Sequence, residues 1–89
     1  MDRIRLSTRA ERDLGRLGPG PELDRIEGGL RRLEAGEPNL DIKPVTGSAP
    51  WLRLRIGDWR ILYRPAGDQI LVARIIHRSE LRQAIRTLE

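Results

Sequence analysis

The chain contains no cysteine, one histidine and one lysine. Without thiols there is neither a disulfide framework nor a thiolate metal site, which suits a cytoplasmic protein. A single histidine excludes a multi-histidine metal centre. No apolar run approaches the roughly 18 residues of a membrane span, so no membrane partner is expected. The opening stretch MDRIRLS is too polar for a secretory signal. The 89 residues suffice for one small domain with a modest core. No repeat, low-complexity tract or linker interrupts them, and residues 1–89 read as a single domain.

Arginine is what the chain has in excess. It supplies 16 of the 17 basic residues, and the net charge is +4. Residues 1–42 carry 8 Arg and 9 Asp or Glu, a balance of −1. Residues 43–89 carry Lys43 and 8 Arg against Asp58, Asp68, Glu80 and Glu89, a balance of +5. A basic excess gathered in one half points to a polyanionic partner. The competing reading is a solvated surface in an arginine-rich proteome.

The spacing of apolar residues predicts the elements. DRIRLS, residues 2–7, alternates with Ile4 and Leu6 on one side and reads as a first strand. Thr8 and Glu11 form a capping-box pattern, so a helix is expected from Arg9 to Leu17 with Ala10, Leu14 and Leu17 inward. Pro21 suits the first turn of a second helix whose Leu23, Ile26, Leu30 and Leu33 make one apolar stripe, ending at Gly36. Gly28 and Gly29 inside it cost about 1 kcal/mol each relative to Ala, which implies close packing against the sheet or the first helix. Residues 37–50 read as a loop, residues 69–76 as a last strand, and Ser79 as the cap of a final helix with Leu81, Ile85 and Leu88 inward. The predicted order is β-α-α-β-β-β-α.

The most informative stretch is WLRLRIGDWRILYR, residues 51–64. Alternation on both sides of Gly57-Asp58 predicts two strands joined by a two-residue turn. Arg55 then faces Arg60, and Arg53 shares their side. Leu54, Ile56, Trp59 and Ile61 share the other side, toward the helices. Like charges directly opposite on a sheet destabilise it by roughly 0.2–1 kcal/mol, so the arginines call for an anion. Trp59 and Tyr63 read as core, Asp58 as a turn residue, and Arg74 as stacking on the Trp59 side.

This hairpin, followed by VARIIHR, resembles the RelE/ParE superfamily of bacterial toxins from toxin–antitoxin pairs. Lys43-Pro-Val-Thr-Gly47 stands where that superfamily has a Lys-x-Leu-x-Gly-like element. The resemblance covers nearly the whole chain, and the hairpin and the His77-Arg78 end are its specific parts. It implies an α+β, RelE-like fold: a small antiparallel sheet with two N-terminal helices on one face and a basic cleft on the other. It implies a cognate antitoxin as partner and no cofactor. Two activities remain open. RelE-like members cleave mRNA on the ribosome; ParE-like members inhibit DNA gyrase without nuclease activity.

The resemblance also implies site residues. Arg53, Arg55, Arg60 and Arg78 match the basic residues that line the phosphate site of the nucleases. The lysines usual on the second strand are replaced by Arg, and Arg82 stands where a Tyr often follows the final Arg. The corresponding chemistry is metal-independent attack of a 2′-OH on the adjacent phosphate. It needs in-line positioning, stabilisation of the phosphorane and proton transfer. Arg55, Arg60 and Arg78 would hold the phosphate. Arginine is a poor base, which leaves His77, with an ordinary pKa of about 6.5, for proton transfer; backbone hydrogen bonding at the strand end is its alternative role. Arg53, Lys43, Arg64 and Arg82 would extend the RNA-binding track, and Trp51 would stack on a base.

Overall fold

Ser7, not Thr8, caps the first helix. Its hydroxyl accepts from the Ala10 N–H at 3.1 Å and donates to the Ala73 carbonyl at 2.7 Å, so one side chain caps the helix and ties it to the last strand. The computed structural model describes residues 2–88. Its elements are β1 (Ile4–Leu6), α1 (Thr8–Leu17), α2 (Pro21–Glu34), β2 (Ile42–Pro44), β3 (Leu52–Ile56), β4 (Trp59–Ala66) and β5 (Gln69–His77). A 3₁₀ turn (Arg78–Glu80) and the short helix α3 (Leu81–Ile85) follow.

Five strands form one sheet in the order β1-β5-β4-β3-β2. The three long C-terminal strands make the expected antiparallel meander. Two details differ from the sequence reading. The two helices carry the chain from β1 at one edge to β2 at the other, and the meander then brings β5 back beside β1 and parallel to it, so the sheet is mixed. The segment read as a loop contains β2, which pairs antiparallel with β3. Only three residues long, exposed throughout and ending in Pro44, it carries no periodic signal to detect.

The helices cover the expected face. Ala10, Ile26, Leu30 and Leu33 pack on Leu54, Ile56, Ile61, Tyr63, Val72 and Ile75. Gly29 explains its own presence there: a Cβ would lie 2.0 Å from Ile56 Cδ1, so α2 approaches β3 as no side chain would permit. Gly28 has no such neighbour. Trp59 sits half-buried at the rim of this core, its indole N–H donating to the Glu22 carboxylate.

The opposite face is not left to arginine alone. Val45, Trp51, Leu62, Ile76 and Ala84 form a second, smaller core, closed by Leu81, Ile85 and Leu88 from the C-terminal segment. His77, rather than Ser79, caps the turn that leads into α3: its imidazole Nδ1 accepts from the Ser79 N–H at 3.2 Å.

A β-bulge at Ala73 corrects a second expectation. The pairing jumps from Leu62↔Arg74 to Tyr63↔Val72, leaving one extra residue in β5. Unbroken alternation from Val72 would put Arg74 on the Trp59 side. The bulge turns it to the other side, where it meets Asp13 of α1 instead of an aromatic ring. Asp13 is the one buried charged residue among those described. Pairing with β1 has ended at this point, so the Ile75 N–H lies open at the strand edge. Asp13 Oδ2 accepts from it at 2.8 Å and from Arg74 Nε at 2.9 Å. Oδ1 accepts from Arg74 Nη2 at 3.2 Å and from Arg16 Nη2 at 2.7 Å. Burial alone would raise the pKa of this carboxyl. The hydrogen bonds from Arg74, Ile75 and Arg16 outweigh it and hold the pKa below the ordinary value.

Asp13→Ala removes one partner of a mostly buried ion pair and leaves the Arg74 guanidinium and the Ile75 N–H unsatisfied. Urea denaturation should show a loss of roughly 3 kcal/mol. The folded pKa of Asp13 is depressed. Its stabilisation is therefore complete above the unfolded value of about 3.9 and is lost as pH falls from there through the folded value. Acid titrations of wild type and variant should converge over that window. The paired glycines separate in the same assay. Gly28→Ala should gain up to about 1 kcal/mol from helix propensity. Gly29→Ala should be less stable than Gly28→Ala by roughly 1–3 kcal/mol, because Ile56 must yield.

Candidate functional site

The turn sets the geometry of the cationic face. Gly57 has φ of 58° and Asp58 does not share the left-handed region, the pattern of a II′ turn that matches strand twist. The register is the one the spacing predicts: Arg53↔Leu62, Leu54↔Ile61, Arg55↔Arg60 and Ile56↔Trp59. Two arginines are thus held directly opposite each other.

The Gly57 carbonyl eases their repulsion. It accepts from Arg55 Nε at 3.3 Å and from Arg60 Nη1 at 2.9 Å, while Arg60 Nη1 also donates to the Trp59 carbonyl at 3.0 Å. Asp41, at the entry to β2, lies 3.7 Å from Arg55 Nη1. The field remains positive. Burial first, and then the charges of Arg55, Arg53 and Arg78, lower the pKa of Arg60; only Asp41 among these neighbours opposes the shift.

Arg53, Arg60, His77 and Arg78 line one open cavity of about 520 Å³ together with Ser79 and Leu81. Arg53 comes from β3, Arg60 from β4, and the rest from the end of β5 and the turn after it. Arg78 is held at the turn: its N–H donates to the Asp58 carbonyl at 2.8 Å, and its Nε lies 3.5 Å from the Asp58 carboxylate. Both of those side chains are mostly exposed, so solvent screens the pair and leaves Arg78 available to another anion.

His77 reaches this cavity and also makes the local hydrogen bonds that were its alternative role. Nδ1 accepts from the Ser79 N–H and lies 2.9 Å from Ser79 Oγ. An acceptor at Nδ1 assigns the proton of the neutral ring to Nε2. In this arrangement Nε2 is a hydrogen-bond donor and not a base. The ring stands edge-on to Trp59, with centroids 5.7 Å apart.

The remaining predicted residues divide. Lys43 is exposed on β2 directly opposite Arg53, where it extends the cationic row. Arg55 stands behind Arg60 without lining the cavity. Trp51 shares the Arg53 side of β3 but is 5% exposed, part of the second core, and the Arg64 guanidinium lies 5.6 Å from its ring centroid. The face expected to stack on a base is covered. Arg64 lies further along β4, opposite Leu71, and does not line the cavity, and Arg82 is exposed on α3 without lining it. Sequence reasoning missed Asp41 and the double role of Ser79. No sequence signal marked Asp41, because its place across from Arg55 follows from the pairing of β2 with β3.

A sequence profile described as "ParE toxin of type II toxin-antitoxin system, parDE" matches residues 4–82. Toxin RelE3 of Methanocaldococcus jannaschii is 38% identical over 42 residues, which are 47% of this chain and 48% of that protein. The match therefore spans about half the length of this curated relative. The fold superposes on a chain of the RelB–RelE antitoxin–toxin complex from Methanococcus jannaschii with a TM-score of 0.72 and 26% identity, covering 88% of this chain and 94% of that one. For the RelBE2 toxin–antitoxin complex of Mycobacterium tuberculosis the TM-score is 0.70 and the identity 28%, covering 84% and 95%. The E. coli DinJ–YafQ complex shares the fold at a TM-score of 0.73 with 13% identity, covering 88% and 94%. With the profile running from β1 into α3, this chain belongs to the ParE toxin family of type II toxin–antitoxin systems, within the RelE/ParE superfamily.

Proposed function

We propose that this toxin is a ribosome-dependent mRNA endonuclease that cleaves by metal-independent attack of a 2′-OH on the adjacent phosphate. The observation that carries the reading is the convergence of Arg53, Arg60, Arg78 and His77 on one open cavity, with Arg55 charged behind Arg60. Guanidinium groups are permanent charges whose paired donors match phosphate oxygens. Arg60 and Arg78 hold the scissile phosphate and stabilise its extra negative charge. Arg53 and Lys43 carry the adjoining backbone. Neutral His77 donates a hydrogen bond from Nε2 to a phosphate oxygen, and as imidazolium it gives the Nε2 proton to the leaving 5′ oxygen while water takes the proton of the attacking 2′-OH. When the ring is protonated, Ser79 Oγ accepts from Nδ1. The name of the RelE-type relative and the RelE-type likeness of the matched structures favour this activity.

The proposed partner is a cognate antitoxin, as in the matched complexes. An acidic or amphipathic segment laid over the cleft would neutralise the arginines, and its binding would weaken with salt. The ribosome and mRNA are the proposed targets in the cytoplasm. A gyrase-inhibitor reading is favoured by the ParE description of the family, by Arg82 in place of a tyrosine, and by the absence of a free base at His77.

The two readings part at Arg60. Its removal relieves repulsion, so Arg60→Ala should fold with unchanged or slightly higher stability and still bind the antitoxin. Loss of a preorganised donor to developing charge costs about 10²–10³ in rate, so its cleavage and toxicity should collapse. Arg78→Ala should follow it, and Arg86→Ala, exposed beyond α3, should remain near wild type. Primer extension after brief induction reads the outcome. Codon-phased cuts ending in 2′,3′-cyclic phosphates are expected. Intact messages with accumulating gyrase–DNA breaks, or full toxicity of Arg60→Ala at matched expression, would move the gyrase reading ahead.

A further inference from the structure

A larger groove lies on the other side of the C-terminal segment. It measures about 690 Å³ and runs between α1 and α3, lined by Arg9, Arg12 and Arg16 from one helix and Gln83 and Thr87 from the other segment, with Arg74 at its floor. Four guanidiniums face two carboxylates, Asp13 and Glu80. Asp13 is already engaged by Arg74 and Arg16. Among the described residues Arg9 and Arg12 carry no ion pair, and both are exposed one turn apart on α1. Arg9, Arg74 and Thr87 also line an adjoining cavity of about 400 Å³ that reaches Arg64. That cavity adds the Arg64 guanidinium beside an apolar wall of Trp51, Leu71 and Leu88. The division of charge by halves of the sequence concealed the cationic groove, because the acids of residues 1–42 fall largely on and beside α2.

We propose that this groove is a second nucleic-acid site, a rail for the phosphate backbone of RNA flanking the segment held in the cleft. The proposal rests on the RNA reading of the cleft. The two sites are contiguous: Arg78, Ser79 and Leu81 line the cleft, and Glu80, Gln83, Ala84 and Thr87 line the groove, so one turn and one short helix separate them. The lining decides the ligand class. Guanidiniums, an amide and a hydroxyl are the groups that contact phosphate and sugar without reading sequence. A protein partner needs buried aromatic or aliphatic anchors. The exposed large hydrophobic residue among those described is Ile42, on β2 and outside the groove. The groove supplies charge at Arg9 and Arg12, and its lining includes Gly15 and Ala84 but no large apolar side chain that could anchor a protein partner.

The test titrates the free toxin into a fluorescent single-stranded RNA made uncleavable by 2′-O-methylation, from 50 to 200 mM salt. Each phosphate contact to a single strand contributes about 0.7 to the slope of log K against log salt. Arg9→Ala/Arg12→Ala should bind more weakly and lower that slope by about 1.4. Arg9→Lys/Arg12→Lys should retain it, because the rail requires charge and not a fork; this variant also controls for any change in folding. An unchanged slope in the alanine variant overturns the rail. So does an unchanged slope accompanied by a weakened antitoxin complex, which would make the groove a protein-docking surface. Arg60→Ala in the same titration keeps the two sites distinct. If it lowers the slope and the alanine pair does not, the cleft stands without the groove. If the alanine pair lowers the slope and Arg60→Ala does not, the groove stands and the RNA reading of the cleft fails.

Discussion

The two-residue turn at Gly57-Asp58 is the constraint on which the site depends. A loop this short permits one register, and that register puts Arg55 against Arg60. Repulsion at that pair cannot be relieved by sliding a strand. A one-residue slip would carry Leu54, Ile56 and Ile61 out of the main core and expose them. Burial of the helix-facing side therefore stabilises crowding on the other side. The cost is moderated locally by the Gly57 carbonyl, shared between the two guanidiniums, and by Asp41.

Asp13 plays the corresponding part at the far end of the sheet. Strand β1 is too short to satisfy β5 along its length, and the bulge at Ala73 further interrupts the ladder. An acid from α1 fills the gap by accepting from the Ile75 N–H and from Arg74 at once. This docks α1 on β5 and turns Arg74 toward the C-terminal segment. The same α1 presents Arg9, Arg12 and Arg16 to solvent along the groove. One buried carboxylate thus supports both the packing of the helix and the arrangement of charge around it.

Both faces of the sheet are used, but unequally. Two helices seal one face. The other carries a small core under α3 at one end and the arginine cavity beside it. Leu81 belongs to both, since it packs against the second core and lines the cavity. His77 similarly caps the turn and reaches the site. The C-terminal turn is therefore a shared wall, and its placement depends on hydrogen bonds made by groups that also line the site.

The helices, the meander, the hairpin register and the Arg53/Arg55/Arg60 face were legible in the amino-acid pattern. Each is written in periodicity or turn chemistry, which act between near neighbours along the chain. The same pattern also carried the family resemblance, through the order of the hairpin and His77-Arg78. The rest follows from long-range packing. Whether Trp51 stacks on a ligand or seals a core depends on α3 and Arg64 meeting it from distant positions, and alternation along β3 allowed either. The side on which Arg74 emerges depends on a bulge that leaves no mark in the apolar pattern. Strand β2 exists because β3 offers it a partner, and three exposed residues have no periodicity of their own. Asp13 falls on the inward stripe of α1 beside Leu14, but what satisfies its carboxylate there is an open N–H on a strand 62 residues away. Contacts of that range are set by how elements pack, which local spacing does not encode.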